Sequence, residues 1–254
     1  MMQETQFLIT STGRKIAYHK TDGAGPAVVF LGGFKSDMGG TKAVYLEEWA
    51  RKNGRAFLRF DYSGHGESSG EFTDGCIGEW AADAMETIAS LTTGPQILVG
   101  SSMGGWISLL VAKHMHEQVA GLVGIAAAPD FTQDSMWAGM DDAQRADLET
   151  NGVIYLPSDY GEPYAITKKL ITDGRDQLVL RDALNLPFPV RLLHGTADED
   201  VSMDVALRLL EHANGDDIRL QFIKGADHRF SDDTCLRLIH KSIHSITAAI
   251  SGEE

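Results

Sequence analysis

A serine flanked by glycines is the first feature of this sequence that could do chemistry. Residues 100–105 read Gly-Ser-Ser-Met-Gly-Gly, and Ser102 has a glycine two positions before it and another two positions after it. An apolar run at 96–99 precedes this motif and a helical pattern follows it. In that strand–turn–helix context a G-x-S-x-G serine acts as a nucleophile on a strained turn. The alternative interpretation is that Ser102 only caps the following helix.

A nucleophilic serine needs a general base and an acid that orients the base, and in this motif the chain order is Ser, then Asp or Glu, then His. An acidic turn follows the apolar run at 190–193, and there we predict Asp198 as the orienting acid, with Asp200 in reserve. His228 follows the last apolar run, at 218–222, and we predict it as the base. In the alternative interpretation the acids cap a helix and the histidine lies at the surface.

A glycine-rich loop at 31–40 predicts part of an oxyanion hole, because glycine lets the backbone approach a ligand closely. We predict that the backbone N–H groups of Phe34 and Met103 bind the oxyanion. The Gly-Gly-Thr-Lys order at 39–42 does not match a phosphate-binding P-loop. Since no histidine and acid spacing indicates a metal site, we expect neither a metal nor a cofactor.

The elements that must position these residues alternate between short apolar runs and helical patterns. The runs are rich in Val, Ile, Leu and Phe, as is typical of buried parallel strands, and lie at 27–31, 56–60, 96–99, 122–125, 190–193 and 218–222. Helical patterns lie at 41–52, 77–91, 103–115, 202–213 and 231–250, and an antiparallel hairpin is predicted from 6–9 and 15–18. The alternation predicts an α/β fold with a mostly parallel central sheet and helices on both faces. We expect residues 1–254 to form a single domain.

One segment, at about 130–185, breaks this alternation and contains no convincing buried strand. A long insertion in a compact domain is usually functional, so we predict a helical cap over the active site. Met136, Trp137 and Met140 lie in it, and with Met103 they could form an adaptable apolar wall for a substrate. The alternatives are a peripheral helical decoration and ordinary core packing of these side chains.

Composition limits the partners and the location. A net charge of −14 argues against nucleic-acid binding, which needs a basic face. No apolar run approaches the ~20 residues that cross a bilayer, so we expect no stable membrane insertion. Cys76 and Cys235 lie far apart, which suits a reducing compartment, and the N-terminus shows no secretory signal. We therefore expect a cytoplasmic location; the oligomeric state is not predicted.

Several stretches resemble a known family. The motif at Ser102, the turn at Asp198 and the pair Asp227-His228 resemble the α/β-hydrolase superfamily over nearly the whole chain. A closer likeness is to a group of palmitoyl-protein thioesterases, also known as mycophenolic acid acyl-glucuronide esterases, and to their bacterial relatives. The stretches that carry this likeness are 33–38, 40–43, 61–64, 128–132, 136–137 and 191–195.

This resemblance implies hydrolysis of carboxylic esters or S-acyl thioesters, with Ser102, Asp198 and His228 as a catalytic triad. The substrate would be a small molecule or an acylated protein. The mitochondrial member of the group carries a targeting extension before its catalytic domain, and this chain begins at that domain, so we again expect a cytoplasmic location. Two other enzyme functions stay open, a lactonase or dienelactone-type hydrolase and a small peptidase, because both use the same triad. A catalytically silent ligand receptor is a further alternative, because fold does not imply function.

Overall fold

The computed structural model describes residues 4–157 and 163–252. Within them the strands are β1 (Gln6–Ile9), β2 (Lys15–Thr21), β3 (Ala24–Leu31), β4 (Arg55–Phe60), β5 (Gln96–Ser101), β6 (Val119–Ile125), β7 (Val153–Leu156), β8 (Tyr164–Thr167), β9 (Leu184–Asn185), β10 (Val190–Gly195), β11 (Ala213–Asn214) and β12 (Ile218–Ile223). The α-helices are α1 (Thr41–Lys52), α2 (Ile77–Leu91), α3 (Met103–His114), α4 (Asp142–Asn151), α5 (Lys168–Asp176), α6 (Met203–His212) and α7 (Asp233–Ser251).

One large sheet organises these elements. Its strand order is β1-β2-β4-β3-β5-β6-β10-β12. The β1–β2 and β2–β4 pairs are antiparallel, and the remaining neighbours in the sheet are parallel. All the predicted apolar runs lie in this sheet, and β1 with β2 is the predicted hairpin. The prediction of a mostly parallel α/β sheet is confirmed.

The helices cover both faces of the sheet because alternate residues of each strand point to opposite sides. In β3, Val29 and Leu31 pack into the apolar cluster that contains the buried faces of α2 and α3. Val28 and Phe30 pack into the cluster formed with α1 and α7. The central strands are therefore buried on both sides, which explains why they read as continuous apolar runs.

Helix caps fix where the two loops after β10 and β12 end. Ser202 caps α6, and its side chain accepts a hydrogen bond from the N–H of Asp204. Asp232 caps α7 and accepts from the N–H groups of Thr234 and Cys235. The loops after β10 and β12 are consequently short and held at both ends.

The insertion predicted at about 130–185 is only partly helical. It contains a π-helical segment at Thr132–Trp137, then α4 and α5, but β7 and β8 form an antiparallel hairpin between these helices. The predicted helical cap thus also contains a two-stranded hairpin that the sequence did not indicate. Because β7 alternates a buried Ile154 with a Tyr155 that is 69% exposed, it lacks the continuous apolar run of a buried strand. Residues 158–162, between the two strands, lie outside the described residues.

Asp130 joins the two ends of this insertion. Its fully buried carboxylate accepts hydrogen bonds from the N–H groups of Val179, at 2.8 Å, and Leu180, at 3.0 Å. The guanidinium of Arg181 lies 3.2 Å from the same carboxylate. One buried acid, satisfied on several sides, thus links the start of the insertion to its end.

Helix α3 approaches β3 so closely that Gly104 has no room for a side chain. A Cβ at this position would lie 2.1 Å from the carbonyl oxygen of Leu31 and 2.6 Å from that of Gly32. We expect Gly104→Ala to lower the free energy of unfolding by about 2–3 kcal/mol, because backbone must move to admit the methyl group. Urea denaturation monitored by circular dichroism measures this change.

Gly139→Ala is the matched control, since a Cβ there meets no heavy atom within 4 Å. Its free energy of unfolding should stay level or rise by about 0.5–1 kcal/mol, as alanine favours helix over glycine. Equal denaturation midpoints for the two variants would contradict the close approach at Gly104.

Candidate active site

Ser102 occupies the turn between β5 and α3 in a strained backbone conformation. Its φ of 55° and ψ of −119° lie in a region that residues with a side chain rarely adopt. The turn is held by its backbone: the N–H of Ser102 donates to the carbonyl of Ile125 at 2.9 Å, and its own carbonyl accepts from Gly105 and Ala128. This geometry is the one that the motif predicts, with the hydroxyl projecting above the sheet.

The structure brings together the three side chains that the sequence selected. His228 Nε2 lies 3.2 Å from Ser102 Oγ. His228 Nδ1 lies 2.9 Å from Asp198 Oδ2 and 3.0 Å from Oδ1. Ser102 follows β5, Asp198 follows β10 and His228 follows β12, so the parallel strands deliver all three to one edge of the sheet.

The Asp198 carboxylate is held in its ionised form. Burial alone would raise its pKa, but the hydrogen bond from His228 and the N–H of Val201 outweigh burial and bring the pKa below its ordinary value. The N–H of Asp200 donates to the same carboxylate at 3.0 Å. An ionised carboxylate can only accept, so His228 Nδ1 carries the proton and Nε2 presents its lone pair to Ser102.

This arrangement separates Asp198 from the reserve acid Asp200. The side chain of Asp198 is fully buried against the imidazole, whereas Asp200 is exposed and contributes a backbone N–H. Oxygen or nitrogen atoms of Asp198, Asp200 and His228 lie within 4.8 Å of one another, which is close enough to hold a metal ion. Both ring nitrogens of His228 already have hydrogen-bond partners in Asp198 and Ser102, so the arrangement fits proton transfer better than metal binding.

His194 supports the acid turn from the core. Its Nε2 donates to the carbonyl of Val201 at 2.9 Å, and Val201 in turn donates its N–H to Asp198 at 2.8 Å. Burial lowers the pKa of His194, which favours the neutral imidazole. The role of this histidine is therefore structural, as its position at the end of a strand indicates.

The two predicted oxyanion donors flank Ser102. Met103 follows it at the first turn of α3, and the loop that carries Phe34 lies against it, because a Cβ on Gly33 would be 3.4 Å from Ser102 Cβ. Neither N–H, of Phe34 or of Met103, donates to another described residue. The assignment of these two N–H groups to the oxyanion hole stays a prediction.

A cavity of about 910 Å³ opens over Ser102 and His228. Part of its wall is aromatic, since the ring of Phe34 meets those of Phe131 and Tyr164 edge to face at 5.7 and 5.6 Å. The described residues that line it are Gly33, Phe34, Lys35, Ser36, Lys42, Ser101, Ser102, Ala128, Pro129, Phe131, Asp134, Ser135, Met136, Tyr164, Glu199, Asp200, Val201, Ser202, Val205, His228 and Arg229.

The side chains predicted to line the pocket divide into two groups. Met136 lies in the cavity wall, but Trp137 and Met140 are not among the described residues that line it. Trp137 packs under the guanidinium of Arg175, 4.5 Å from its ring centroid, and Met140 is a core residue that is 3% exposed. The side chain of Met103 is also fully buried in the core. The pocket prediction is therefore wrong for Trp137, Met140 and the Met103 side chain.

Lys42 is a cavity residue that sequence reasoning missed. Its ammonium donates to the carbonyl of Arg229, next to His228, and so ties the histidine loop to the first turn of α1. Burial lowers the pKa of Lys42 to about 8, against the opposing charge of Asp227. No local pattern marks this lysine, because its partner lies far away in the chain.

The profile of the alpha/beta hydrolase family matches residues 28–237. The rat protein named "Palmitoyl-protein thioesterase ABHD10, mitochondrial" is 34% identical over 238 residues, which cover 93% of this chain and 80% of that protein. A putative hydrolase from Agrobacterium vitis S4 has a TM-score of 0.91 at 38% identity, with 96% of this chain and 98% of that chain covered. Mouse alpha/beta hydrolase domain-containing protein 10 has a TM-score of 0.91 at 32% identity, with 98% and 100% covered.

The predicted cytoplasmic location is wrong by this comparison. The rat, bovine, orangutan, human and mouse relatives are all named as mitochondrial. The prediction used two distant cysteines and the start of the chain, and reduced cysteines do not distinguish one reducing compartment from another. Within the part of the chain that the structure describes, no helix combines the length and apolar character needed to cross a bilayer.

Fold, site and relatives agree with the resemblance seen in the sequence. The mostly parallel sheet carries a serine at the strained turn after β5, and the family match spans most of the chain. Relatives more than 30% identical over nearly the whole length are named as thioesterases. The chain belongs to the alpha/beta hydrolase family and is a hydrolase of the ester- or thioester-cleaving class.

Proposed function

We propose that this enzyme cleaves acyl esters or S-acyl thioesters through an acyl-enzyme intermediate on Ser102. The observation that carries this proposal is the continuous hydrogen-bonded path from Asp198 through His228 to Ser102 Oγ beneath the cavity. The strained backbone of Ser102 and the predicted oxyanion donors beside it support the same chemistry.

In the first half of the reaction, His228 Nε2 takes the proton of Ser102 Oγ as this oxygen attacks the acyl carbonyl. Asp198 stabilises the imidazolium that forms. The carbonyl oxygen becomes an oxyanion and lies between the N–H groups of Phe34 and Met103, where one such donor contributes about 3 kcal/mol to transition-state stabilisation.

In the second half, the imidazolium gives its proton to the departing alcohol or thiol, and the acyl group stays on Ser102. His228 then removes a proton from water, which attacks the acyl-enzyme. The same oxyanion site holds the second tetrahedral intermediate, and collapse releases the carboxylic acid and restores the serine hydroxyl.

The substrate favoured by the cavity is an acyl chain on an ester or thioester. Its volume of about 910 Å³ lies near the upper end of the ~300–1,000 Å³ of ligand pockets. Phe34, Phe131, Met136 and Tyr164 supply apolar wall on the side of the insertion at 130–185, which acts as a cap. The names of the relatives support an acylated protein as one substrate; an acyl glucuronide is the other that the resemblance implies.

Removing the nucleophile tests this proposal directly. Ser102→Ala should abolish labelling by a fluorophosphonate probe and lower kcat by about 10⁶-fold. His228→Ala should lower kcat by a similar factor, and the double variant should lose little more, because the two residues act as a unit. Ser101→Ala, which changes the neighbouring cavity serine, should keep both labelling and activity. Labelling that persists in Ser102→Ala would contradict the proposal.

The choice of acid is tested by a pair of variants. Asp198→Asn should lower kcat by about 10⁴-fold, because an amide in place of the carboxylate favours the wrong tautomer of His228. Asp200→Asn keeps its backbone N–H and should change kcat by less than about threefold, because the carboxylate bonded to His228 Nδ1 belongs to Asp198. Steady-state hydrolysis of a p-nitrophenyl ester measures both, and a larger loss in Asp200→Asn would reverse the assignment.

The acyl specificity is tested with p-nitrophenyl esters from acetate to palmitate, beside an S-palmitoyl peptide and an acyl glucuronide. We expect kcat/KM to rise with chain length, and Met136→Trp to reduce the value for long chains relative to acetate by about 10-fold, because the larger side chain fills the apolar wall. Met203→Trp is the control, since Met203 is an exposed methionine outside the described cavity lining. A profile that is flat or peaks at acetate would remove the long-chain proposal.

A further inference from the structure

The loop that carries Phe34 is attached to the body of the protein at Met38. The N–H of Met38 donates to Asp61 Oδ1 at 2.6 Å, and its carbonyl accepts from Arg59 Nη1 at 2.6 Å. Hydrogen bonds within the loop, from Ser36 to Gly33 and from Gly40 to Asp37, fix only its local shape. The two bonds at Met38 join the C-terminal half of the loop to Arg59 in β4 and to Asp61 just after it, while the Phe34 ring packs on Phe72 and Phe131.

Asp61 lies between the loop that carries Phe34 and the turn that follows β4. Its second oxygen accepts from the N–H of Glu67 at 2.9 Å, and the residue is 2% exposed. A Cβ on Gly66 would lie 2.1 Å from Asp61 Oδ2, so this turn can close over the carboxylate only with glycine there. Burial raises the pKa of Asp61 to about 6, and the two N–H bonds oppose that rise.

Arg59 is fixed from the other side. Its guanidinium lies 2.8 Å (Nη2) and 3.2 Å (Nε) from Glu47 Oε2, on the buried face of α1. The remaining Nη1 is directed at the carbonyl of Met38. The planar guanidinium can donate to the Glu47 carboxylate and to the Met38 carbonyl at the same time. A lysine ammonium in its place cannot reproduce this arrangement of donors.

We propose that Asp61 and Arg59 are positioning residues that clamp Met38 and thereby aim the N–H of Phe34 at the oxyanion. The proposal rests on the oxyanion hole assigned in the proposed function. Neither residue lines the cavity among the described residues, so both act through the loop and not by contact with substrate. An error of about 1 Å in such a donor can reduce the rate by ~10²-fold, because the bond is made to the transition state.

Asp61→Asn tests the clamp. Asparagine has one acceptor oxygen, so either Met38 or Glu67 loses its partner. We expect kcat to fall by about 10- to 100-fold while KM for the same ester changes by less than about threefold. The inhibition constant of a trifluoromethyl ketone, which forms a tetrahedral oxyanion on the serine, should rise by the same factor as kcat/KM falls. Arg59→Lys provides a second variant and should change the same quantities in the same direction.

Asp83→Asn is the matched control. Asp83 is also fully buried, accepts from the N–H of Ser63 at 2.9 Å and pairs with Arg14. It thus holds the turn that follows β4 at Ser63 and does not bond to the loop that carries Phe34. Its replacement should lower thermal stability and leave kcat and ketone affinity within about threefold of wild type, since the loss of its contacts with Ser63 and Arg14 does not move the N–H of Phe34.

The outcomes separate the clamp from the proposed function. If Asp61→Asn and Arg59→Lys change stability as Asp83→Asn does and leave ketone affinity unchanged, the two residues are only structural and the clamp is rejected. If Asp61→Asn does not fold, Arg59→Lys alone decides by the same measurements. If the wild-type enzyme neither forms an adduct with the ketone nor reacts with a fluorophosphonate, the serine mechanism itself fails.

Discussion

The buried carboxylate of Asp198, His228 and Ser102 form one hydrogen-bonded path. The need to bring these three side chains together constrains the rest of the fold. The three residues follow β5, β10 and β12, which lie within four neighbouring strands of the sheet. Parallel strands end at the same edge, so residues far apart in the chain reach one another there. The continuous apolar character of these strands is the consequence of burying such a sheet on both faces.

The path also places demands on its surroundings. A buried ionised carboxylate is stable only when donors surround it, and Asp198 receives hydrogen bonds from His228, Asp200 and Val201. The backbone of Ser102 is strained by about 1–3 kcal/mol, a strain that persists only where its surroundings over-determine it. Bonds from that turn to Ile125, at the end of β6, meet this need.

Helix α1 contacts both the loop of the proposed base and, through Arg59, the loop of the proposed oxyanion donor. In its first turn, Lys42 holds the carbonyl of Arg229 beside the proposed base. One turn further along, Glu47 fixes Arg59, which holds Met38 in the loop of the proposed oxyanion donor. Helix α1, which packs on the opposite face of the sheet from α2 and α3, thus supports both the proposed base and the loop that carries Phe34.

Local sequence determined the strands of the sheet and most of the helices, because periodicity acts over a few neighbours. The G-x-S-x-G spacing identified Ser102, and the chain order of the motif identified Asp198 and His228 as its candidate partners. Tertiary structure alone decided that Met136 faces the cavity while Trp137 and Met140 pack elsewhere, and that a hairpin interrupts the insertion. It also revealed the contacts of Lys42, Arg59 and Asp61. Each of these depends on which distant segment a side chain meets, and spacing along the chain does not encode that distance in space.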